Sequence, residues 1–180
     1  LATLPALKGH QHNKERELLR LVQAELAQGR RVLVYVQNTG KVNQIARLEE
    51  LLAQRRIRAR GLYSNTVEPQ KREAWLEREL QRGTQVILTH PRLVQTGLDL
   101  IGFPTIVFYQ TEYSVYVLRQ AARRSWRIGQ TRPVRVVFMA YQNTLQAQAL
   151  ALIATKTRKS LAIERELVEG GLTDMRDENP

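Results

Sequence analysis

The chain has 180 residues, of which 43% are hydrophobic, and this is enough for one domain with a buried core. It contains no cysteine, which excludes disulfides and cysteine-ligated metals, and no apolar run approaches the ~20 residues that a membrane helix needs. Its formal net charge of +11 indicates an anionic partner, most often nucleic acid. The chain begins without an initiator methionine, so we expect part of a longer protein. With no signal-peptide pattern and a charge that suits nucleic acid, we expect that protein to be cytoplasmic and nucleoid-associated.

Helical and strand patterns alternate along the chain. The first helix is well defined, because Asn13 can cap its start, Gly29 can end it, and the apolar residues between them recur at helical spacing. Short apolar runs such as "RVLVYV" are typical of strands that are buried on both faces of a parallel sheet. In chain order the patterns predict a helix at 13–29, a strand at 31–36, a helix at 41–54, a strand at 57–63, a helix at 69–81, strands at 85–90 and 105–110, a helix at 114–126, a strand at 134–141 and a helix at 145–167.

This alternation predicts an α/β domain with a mostly parallel sheet that helices cover on both faces. We expect a leading segment at 1–13, the domain itself at 14–168 and a polar tail at 169–180. In sheets of this kind, ligands bind at the carboxyl ends of the strands. The loops expected to matter are therefore those that follow strands, at 37–40, 63–68, 89–99, 110–114 and 127–132.

Basic residues are concentrated in two regions. Between Tyr113 and Ile163 there are nine lysines or arginines and no acidic residue. This acid-free region favours a site for an anion over a merely solvated basic surface, whereas for a second, smaller cluster the two interpretations are equally open. The second and smaller cluster, "RRIRAR", contains Arg55, Arg56, Arg58 and Arg60.

The arginines of "RQAARRSWRIGQ" lie at the end of a predicted helix. A helix at 114–126 turns Gln120 and Arg124 away from its buried face, and Arg127 continues that line. Gly129 can end the helix just beyond. Arginines that are held at a helix end, on a loop leaving the sheet, suit a bidentate grip on phosphate.

The chain lacks the phosphate cradle of a complete P-loop ATPase. The nearest candidate, "NTGKV" around Gly40 and Lys41, has Tyr35 in place of the first glycine and Val42 after the lysine. No apolar strand ends in an Asp-Glu pair that would hold Mg²⁺. Because arginine fingers are often supplied in trans, the sequence indicates one half of a two-lobed motor, which brings arginines to ATP held by the other half. We therefore expect the chain alone to hydrolyse no ATP.

The segment "QAARRSWRIGQ" resembles the Gln-Ala-x-x-Arg-x-x-Arg-Ile-Gly-Gln signature that ends the ATPase core of the Swi/Snf-type branch of helicase superfamily two. Four further segments resemble, in order, parts of the second RecA-like lobe of that family, and together they span about 14–155. The resemblance implies a RecA-like, P-loop-NTPase-type three-layer fold and the C-terminal motor lobe of an ATP-dependent DNA translocase or helicase. The four segments are "RRVLVYVQNTGKV", "GLYSNTVEPQKREAWL", "THPRLVQTGLDLIGFPTIVFYQTEYS" and "YQNTLQAQAL".

The resemblance also implies roles for individual residues. Arg127 would reach the γ-phosphate of ATP, with Arg124 as its partner arginine and Gln120 as the signature glutamine. Gly97 and Asp99 would couple the nucleotide to the nucleic-acid track. ATP with Mg²⁺ would be bound mainly by a separate N-terminal lobe of the same protein, and double-stranded DNA would be held without sequence preference. The implied contacts to the DNA backbone are Gln37, Asn38, Thr39, Ser64, Asn65, His90 and Arg92.

Several positions depart from the pattern of the family. Arg123 stands where glycine or aspartate is usual, Trp126 replaces a common histidine, Gln110 replaces aspartate and Gln146 replaces glutamate. These departures suggest a divergent branch, from bacteria or a mobile element. The alternative is a free-standing basic DNA-binding or interaction module without ATPase activity, and a Walker motif with an Asp-Glu box upstream of Leu1 would argue against it.

Overall fold

The computed structural model describes residues 13–37, 43–94, 98, 100–110 and 131–141, together with the isolated positions 148 and 155. These residues form a five-stranded parallel sheet with helices packed on both faces, which confirms the predicted α/β architecture. The helices predicted at 114–126 and 145–167 lie outside the described residues, apart from the two isolated positions. No helix in the described part of the chain combines the length and the apolar character needed to cross a membrane.

The strands are shorter than the apolar runs that predicted them. Each has four residues, although Val36 and Tyr109, which directly follow two of the strands, stay buried and still donate backbone hydrogen bonds to Thr89 at 2.9 Å and to Tyr35 at 3.0 Å. The helix predicted at 69–81 begins as a 3₁₀ turn and continues as an α-helix. In chain order the elements are α1 (Asn13–Ala27), β1 (Val32–Tyr35), α2 (Gln44–Ala53), β2 (Ala59–Leu62), a 3₁₀ turn (Pro69–Lys71), α3 (Arg72–Gln81), β3 (Val86–Thr89), a 3₁₀ turn (Pro91–Val94), β4 (Thr105–Phe108) and β5 (Arg135–Phe138).

The strands lie in the order β2-β3-β1-β4-β5, and every neighbouring pair is parallel. Their first residues are level across the sheet, so that Val32 stands beside Val86 and Thr105. All five strands therefore end at one edge, here named the carboxyl edge, and begin at the opposite amino edge. The chain leaves β1 toward β2 on one side and leaves β4 toward β5 on the other. The strand order thus reverses between β1 and β4, which is where α/β sheets usually bind ligands.

Alternate residues of the central strand face opposite sides of the sheet. On one face, Val34 packs in a buried cluster with Leu18 of α1 and Leu48 of α2. On the other face, Tyr35 packs in a second cluster with Leu76 of α3. Each fully buried side chain of this size contributes roughly 1.5–3 kcal/mol, so both helical layers are held to the sheet by apolar burial.

The three helices end in residues with a left-handed backbone. Gly29 (φ 68°) follows α1 and Gly83 (φ 79°) follows α3, as is common where the absence of a Cβ permits this conformation. Arg56 (φ 58°) takes the equivalent place after α2. At the other end of α2, Asn43 caps the helix through its Oδ1, which accepts from the backbone N–H of Ala46 at 3.1 Å.

Candidate functional site

The carboxyl edge brings together segments that are far apart in the sequence. The residues that follow the five strands lie there, at 36–37, 63–66, 90–94, 109–110 and 139–141. Because all strands are parallel and level, these segments form one continuous surface. Of the predicted DNA-backbone contacts, the structure places at this edge Gln37, Ser64, Asn65, His90 and Arg92.

Gln37 lies where the strand order reverses. Its backbone N–H donates to Oε1 of Gln110 at 2.6 Å, which joins the ends of β1 and β4. The side-chain Oε1 of Gln37 is buried and accepts no hydrogen bond from any described residue. A buried polar atom without a partner is costly, so this position keeps unused capacity for a bound group.

The loop after β2 presents two polar side chains at its tip. Thr66 closes the loop, because its backbone N–H and its hydroxyl both donate to the carbonyl oxygen of Tyr63, at 3.4 and 3.2 Å. Ser64 and Asn65 between them are exposed. The half-buried Tyr63 has a raised pKa, chiefly because of burial and then because of the charge of Glu49. The loop thus offers a hydroxyl and an amide on a fixed backbone.

The loop after β3 combines a neutral histidine with a free arginine. Nδ1 of His90 accepts from the backbone N–H of Arg92 at 3.2 Å. Burial lowers the pKa of His90, and the charge of Arg92 lowers it further, so the imidazole is neutral at pH 7. The guanidinium of Arg92 is exposed and makes no hydrogen bond or ion pair with a described residue. It is therefore available to an anion.

The structure adds Lys14, which sequence reasoning missed, to this edge. Its ammonium lies 5.0 Å from the ring centroid of Tyr109 and 5.3 Å from that of Tyr141, and burial lowers its pKa to about 8. Beside it, Glu15 accepts a hydrogen bond from Nε of Arg47 at 2.5 Å, which ties α1 to α2. The position of Lys14 at this edge could have been predicted from the sequence. A helix that leads into a parallel strand runs antiparallel to that strand, so the first turn of α1 must lie at the carboxyl edge.

The remaining predicted site residues lie outside the described part of the chain, and their roles stay predictions. Among the residues that the structure does describe, no group of three or more histidine, cysteine, aspartate or glutamate side chains could hold a metal ion. The residues left as predictions are Asn38, Thr39, Gly97, Asp99, Gln120, Arg124 and Arg127.

Residues 13–129 match the family of the helicase conserved C-terminal domain, and the chain belongs to that family. The chromatin-remodeling ATPase INO80 of Drosophila melanogaster is 28% identical to this chain over 145 residues, and that of Homo sapiens is 27% identical over 145 residues. Each match covers 81% of this chain but only 8% and 9% of the relative, respectively. The chain therefore spans less than a tenth of the length of these relatives.

Among solved structures, the crystal structure of the C-terminal part of the Fun30 ATPase domain is similar to this chain. The TM-score is 0.69 at 16% sequence identity, and the match covers 79% of this chain and 45% of that chain. At this identity the likeness shows the fold alone, and it confirms the RecA-like architecture. Together the matches confirm the resemblance to the C-terminal lobe of Swi/Snf-type ATPases. The placement in a bacterial or mobile-element branch stays a prediction, as does the nucleoid-associated location.

Proposed function

We propose that this chain is the C-terminal motor lobe of an ATP-dependent translocase of double-stranded DNA. Membership of the helicase C-terminal family carries this proposal. The carboxyl edge supports it, because exposed Arg92 follows β3, the strand next to β1 and Gln37, and exposed Ser64 and Asn65 follow β2, one strand further along the same edge. Relatives named chromatin-remodeling ATPases support an ATP-driven motor that acts on DNA.

The groups on the carboxyl edge suit the DNA backbone better than the bases. The Ser64 hydroxyl, the Asn65 amide and the Arg92 guanidinium all donate hydrogen bonds, and phosphate oxygens accept them. Contacts to phosphates position a protein on DNA without reading its sequence. Binding should therefore be sequence-independent, and its affinity should fall steeply with salt, by about 0.9 in log K per unit of log salt for each phosphate neutralised.

The sequence has no P-loop cradle to hold the phosphates of ATP. Under this proposal, a separate N-terminal lobe of the same protein holds the nucleotide and its metal ion. The part of this chain is to present Arg127 and Arg124, whose guanidinium groups each offer two parallel donors to phosphate oxygens.

Arginine substitutions in the full-length protein test the proposal. Arg127→Ala should abolish DNA-stimulated ATP hydrolysis, since arginine fingers contribute on the order of 10³–10⁵ in turnover. Arg127→Lys should lose most of it, because lysine cannot reproduce the two-donor geometry. Arg119→Ala is the control, because Arg119 lies farther round the predicted helix and its loss should cost little turnover.

DNA binding in the absence of nucleotide should change little in all three variants. The chain by itself should show no turnover at all. Near-normal turnover in Arg127→Lys, or equal damage from Arg119→Ala, would refute the arginine-finger role. A full-length protein without DNA-stimulated hydrolysis would instead support the free-standing basic module.

A further inference from the structure

The amino edge of the sheet is strongly basic. Five described segments enter the strands there, at 28–31, 54–58, 82–85, 100–104 and 131–134. They contain no acidic residue, and with the first residue of β5 they carry eight arginines: two before β1, three before β2, one before β3 and two at β5. The last turns of the three helices add three glutamates and one further arginine. This edge therefore carries a large positive surplus.

Two buried carboxylates account for part of this charge. The Glu25 carboxylate accepts a hydrogen bond from Nε of Arg30 at 2.8 Å, and it also pairs with the guanidinium of Arg135. Glu79 accepts from Arg82 at 3.1 Å. The Glu25 pairs hold the end of α1 to the sheet, and the Glu79 pair closes the end of α3, so three of the arginines have a structural role.

Local stability does not account for several of the other arginines. Arg58 donates to the backbone carbonyl of Arg82 at 3.1 Å, a bond that leaves its charge unneutralised. The side chains of Arg31, Arg55 and Arg56 make no hydrogen bond or ion pair with any residue that the structure describes. The backbone of Arg56 is also in the left-handed region, which is unfavourable for a residue with a Cβ, whereas α1 and α3 end there in glycine.

The register of the strands spreads these charges along the edge. Arg58 precedes β2, Arg31 precedes β1, and β5 begins with Arg135, which shares the single carboxylate of Glu25 with Arg30 and so leaves one positive charge of that group in excess. One strand lies between each neighbouring pair of these three positions. At ~4.8 Å between strands, the row is about 19 Å long. A DNA duplex presents about 11 phosphates over that length. Within the row, Arg30, Arg31 and Arg132 line a cavity of about 490 Å³.

The composition of this edge distinguishes between two classes of anionic partner. Protein interfaces depend on a few large side chains that become buried as anchors. Among the described residues, the exposed large hydrophobic side chain is Tyr141, and it lies at the carboxyl edge. Arginine forks fit carboxylates and phosphates alike, so the lack of an exposed large apolar anchor among the described residues of this edge is what favours a nucleic-acid backbone over an acidic protein.

We propose that the amino edge is a second binding surface for a nucleic-acid backbone, on the side of the sheet opposite to the carboxyl edge. The proposal does not rest on the proposed function, because it uses different residues on a different edge. If both surfaces bind, one lobe can hold two segments of nucleic acid at once.

The test measures binding of the full-length protein to a short fluorescent DNA duplex over a range of salt concentrations. The amino-edge variant combines Arg31→Gln with Arg55→Gln, two side chains that have no described partner. The matched control combines Arg16→Gln with Arg20→Gln, which removes two exposed charges from α1. The slope of log K against log salt should fall by about 2 in the amino-edge variant, and affinity at about 0.1 M salt should fall roughly 10- to 60-fold. The control should change both quantities far less.

An equal loss in the two variants would overturn the proposal, because net charge alone would then explain it. Competition by polyglutamate as strong as that by unlabelled duplex would also overturn it, in favour of an acidic protein partner. If the double variant loses its thermal unfolding transition, Arg55→Gln alone replaces it, with a slope change of about 1 expected.

Arg92→Ala separates the two surfaces. Weaker binding in Arg92→Ala with unchanged binding in the amino-edge variant would refute the second surface and keep the proposed function. Weaker binding in the amino-edge variant with unchanged binding in Arg92→Ala would support the second surface and refute DNA binding by Arg92 at the carboxyl edge.

Discussion

Glu25→Ala should destabilise the lobe strongly. The Glu25 carboxylate is fully buried and accepts hydrogen bonds from Nε of Arg30 at 2.8 Å and from the Thr105 hydroxyl at 2.5 Å. It also bonds Arg135, so it ties the end of α1 to the entrances of β1, β4 and β5. Removing one partner of a buried ion pair costs about 3–5 kcal/mol, because the remaining charge is left uncompensated.

We expect a loss near the lower limit of that range, about 3 kcal/mol. Nη2 of Arg30 keeps its bonds to the carbonyl oxygens of Pro104 at 2.9 Å and Pro133 at 2.8 Å. The Arg135 side chain is 56% exposed, so water can replace its lost partner. The unfolding equilibrium constant should rise more than 100-fold, and the melting temperature should fall by about 6–12 °C. Urea unfolding, followed by circular dichroism at neutral pH, measures the free energy directly.

Glu17→Ala on the same helix is the matched control. Glu17 also pairs with an arginine, Arg20, at 2.6 Å, but both side chains are exposed. Exposed pairs contribute little to stability, so the free energy of unfolding should stay nearly unchanged. Similar losses in Glu25→Ala and Glu17→Ala would refute the reasoning.

The buried pair also predicts a dependence on pH. Burial by itself raises the pKa of Glu25, but hydrogen bonds from Thr105 and Arg30 and the charges of Arg135 and Arg30 outweigh it and lower the pKa. The stability from this carboxylate is therefore present above the ordinary glutamate pKa and is lost as the pH falls through the lowered one. The difference in unfolding free energy between the unsubstituted chain and Glu25→Gln should shrink in acid, and a constant difference would contradict this account.

Two further predictions concern the carboxyl edge. Because burial lowers the pKa of Lys14 to about 8, the unfolded chain binds more protons than the folded chain between pH 8 and the ordinary lysine value. The free energy of unfolding should therefore rise by about 2 kcal/mol from pH 8 to pH 10 relative to Lys14→Met, measured by urea unfolding, and a flat difference would contradict it. His90 should titrate below its ordinary value in an NMR titration, and its contribution to stability should be lost as the pH falls below about 6.5. Arg92→Gln should raise this pKa, because it removes a neighbouring positive charge, and an unchanged value would show that Arg92 has no effect.

Local patterns were sufficient to predict the layers of the fold and the edge that carries the candidate site. Apolar runs such as "RVLVYV" indicate buried strands whatever surrounds them, and Gly29 marks the end of α1 through its own backbone freedom. Parallel strands must then end at one edge, so Gln37, Asn65 and Arg92 could be assigned to the same surface before the strand order was known. The family signature supplied the motor interpretation.

The environment of Lys14 could not be predicted in this way. A lysine in the first turn of an amphipathic helix normally faces solvent, and its own segment gives no sign of burial. The burial comes from Tyr109 and Tyr141, which follow β4 and β5 and reach Lys14 only once those strands are in place. Its lowered pKa is therefore a property of the assembled edge.

The sequence by itself determined which segments are strands, which faces are apolar and which edge receives the strand-following loops, because these depend on residues near one another in the chain. Only the tertiary structure decided the order β2-β3-β1-β4-β5, which brings Arg135 to Glu25 from 110 residues further along the chain. The same order turns arginines from four separate segments, among them Arg31 and Arg55, into one basic row at the amino edge. Strand order depends on how distant crossover connections pack together, and no local pattern of residues encodes that packing.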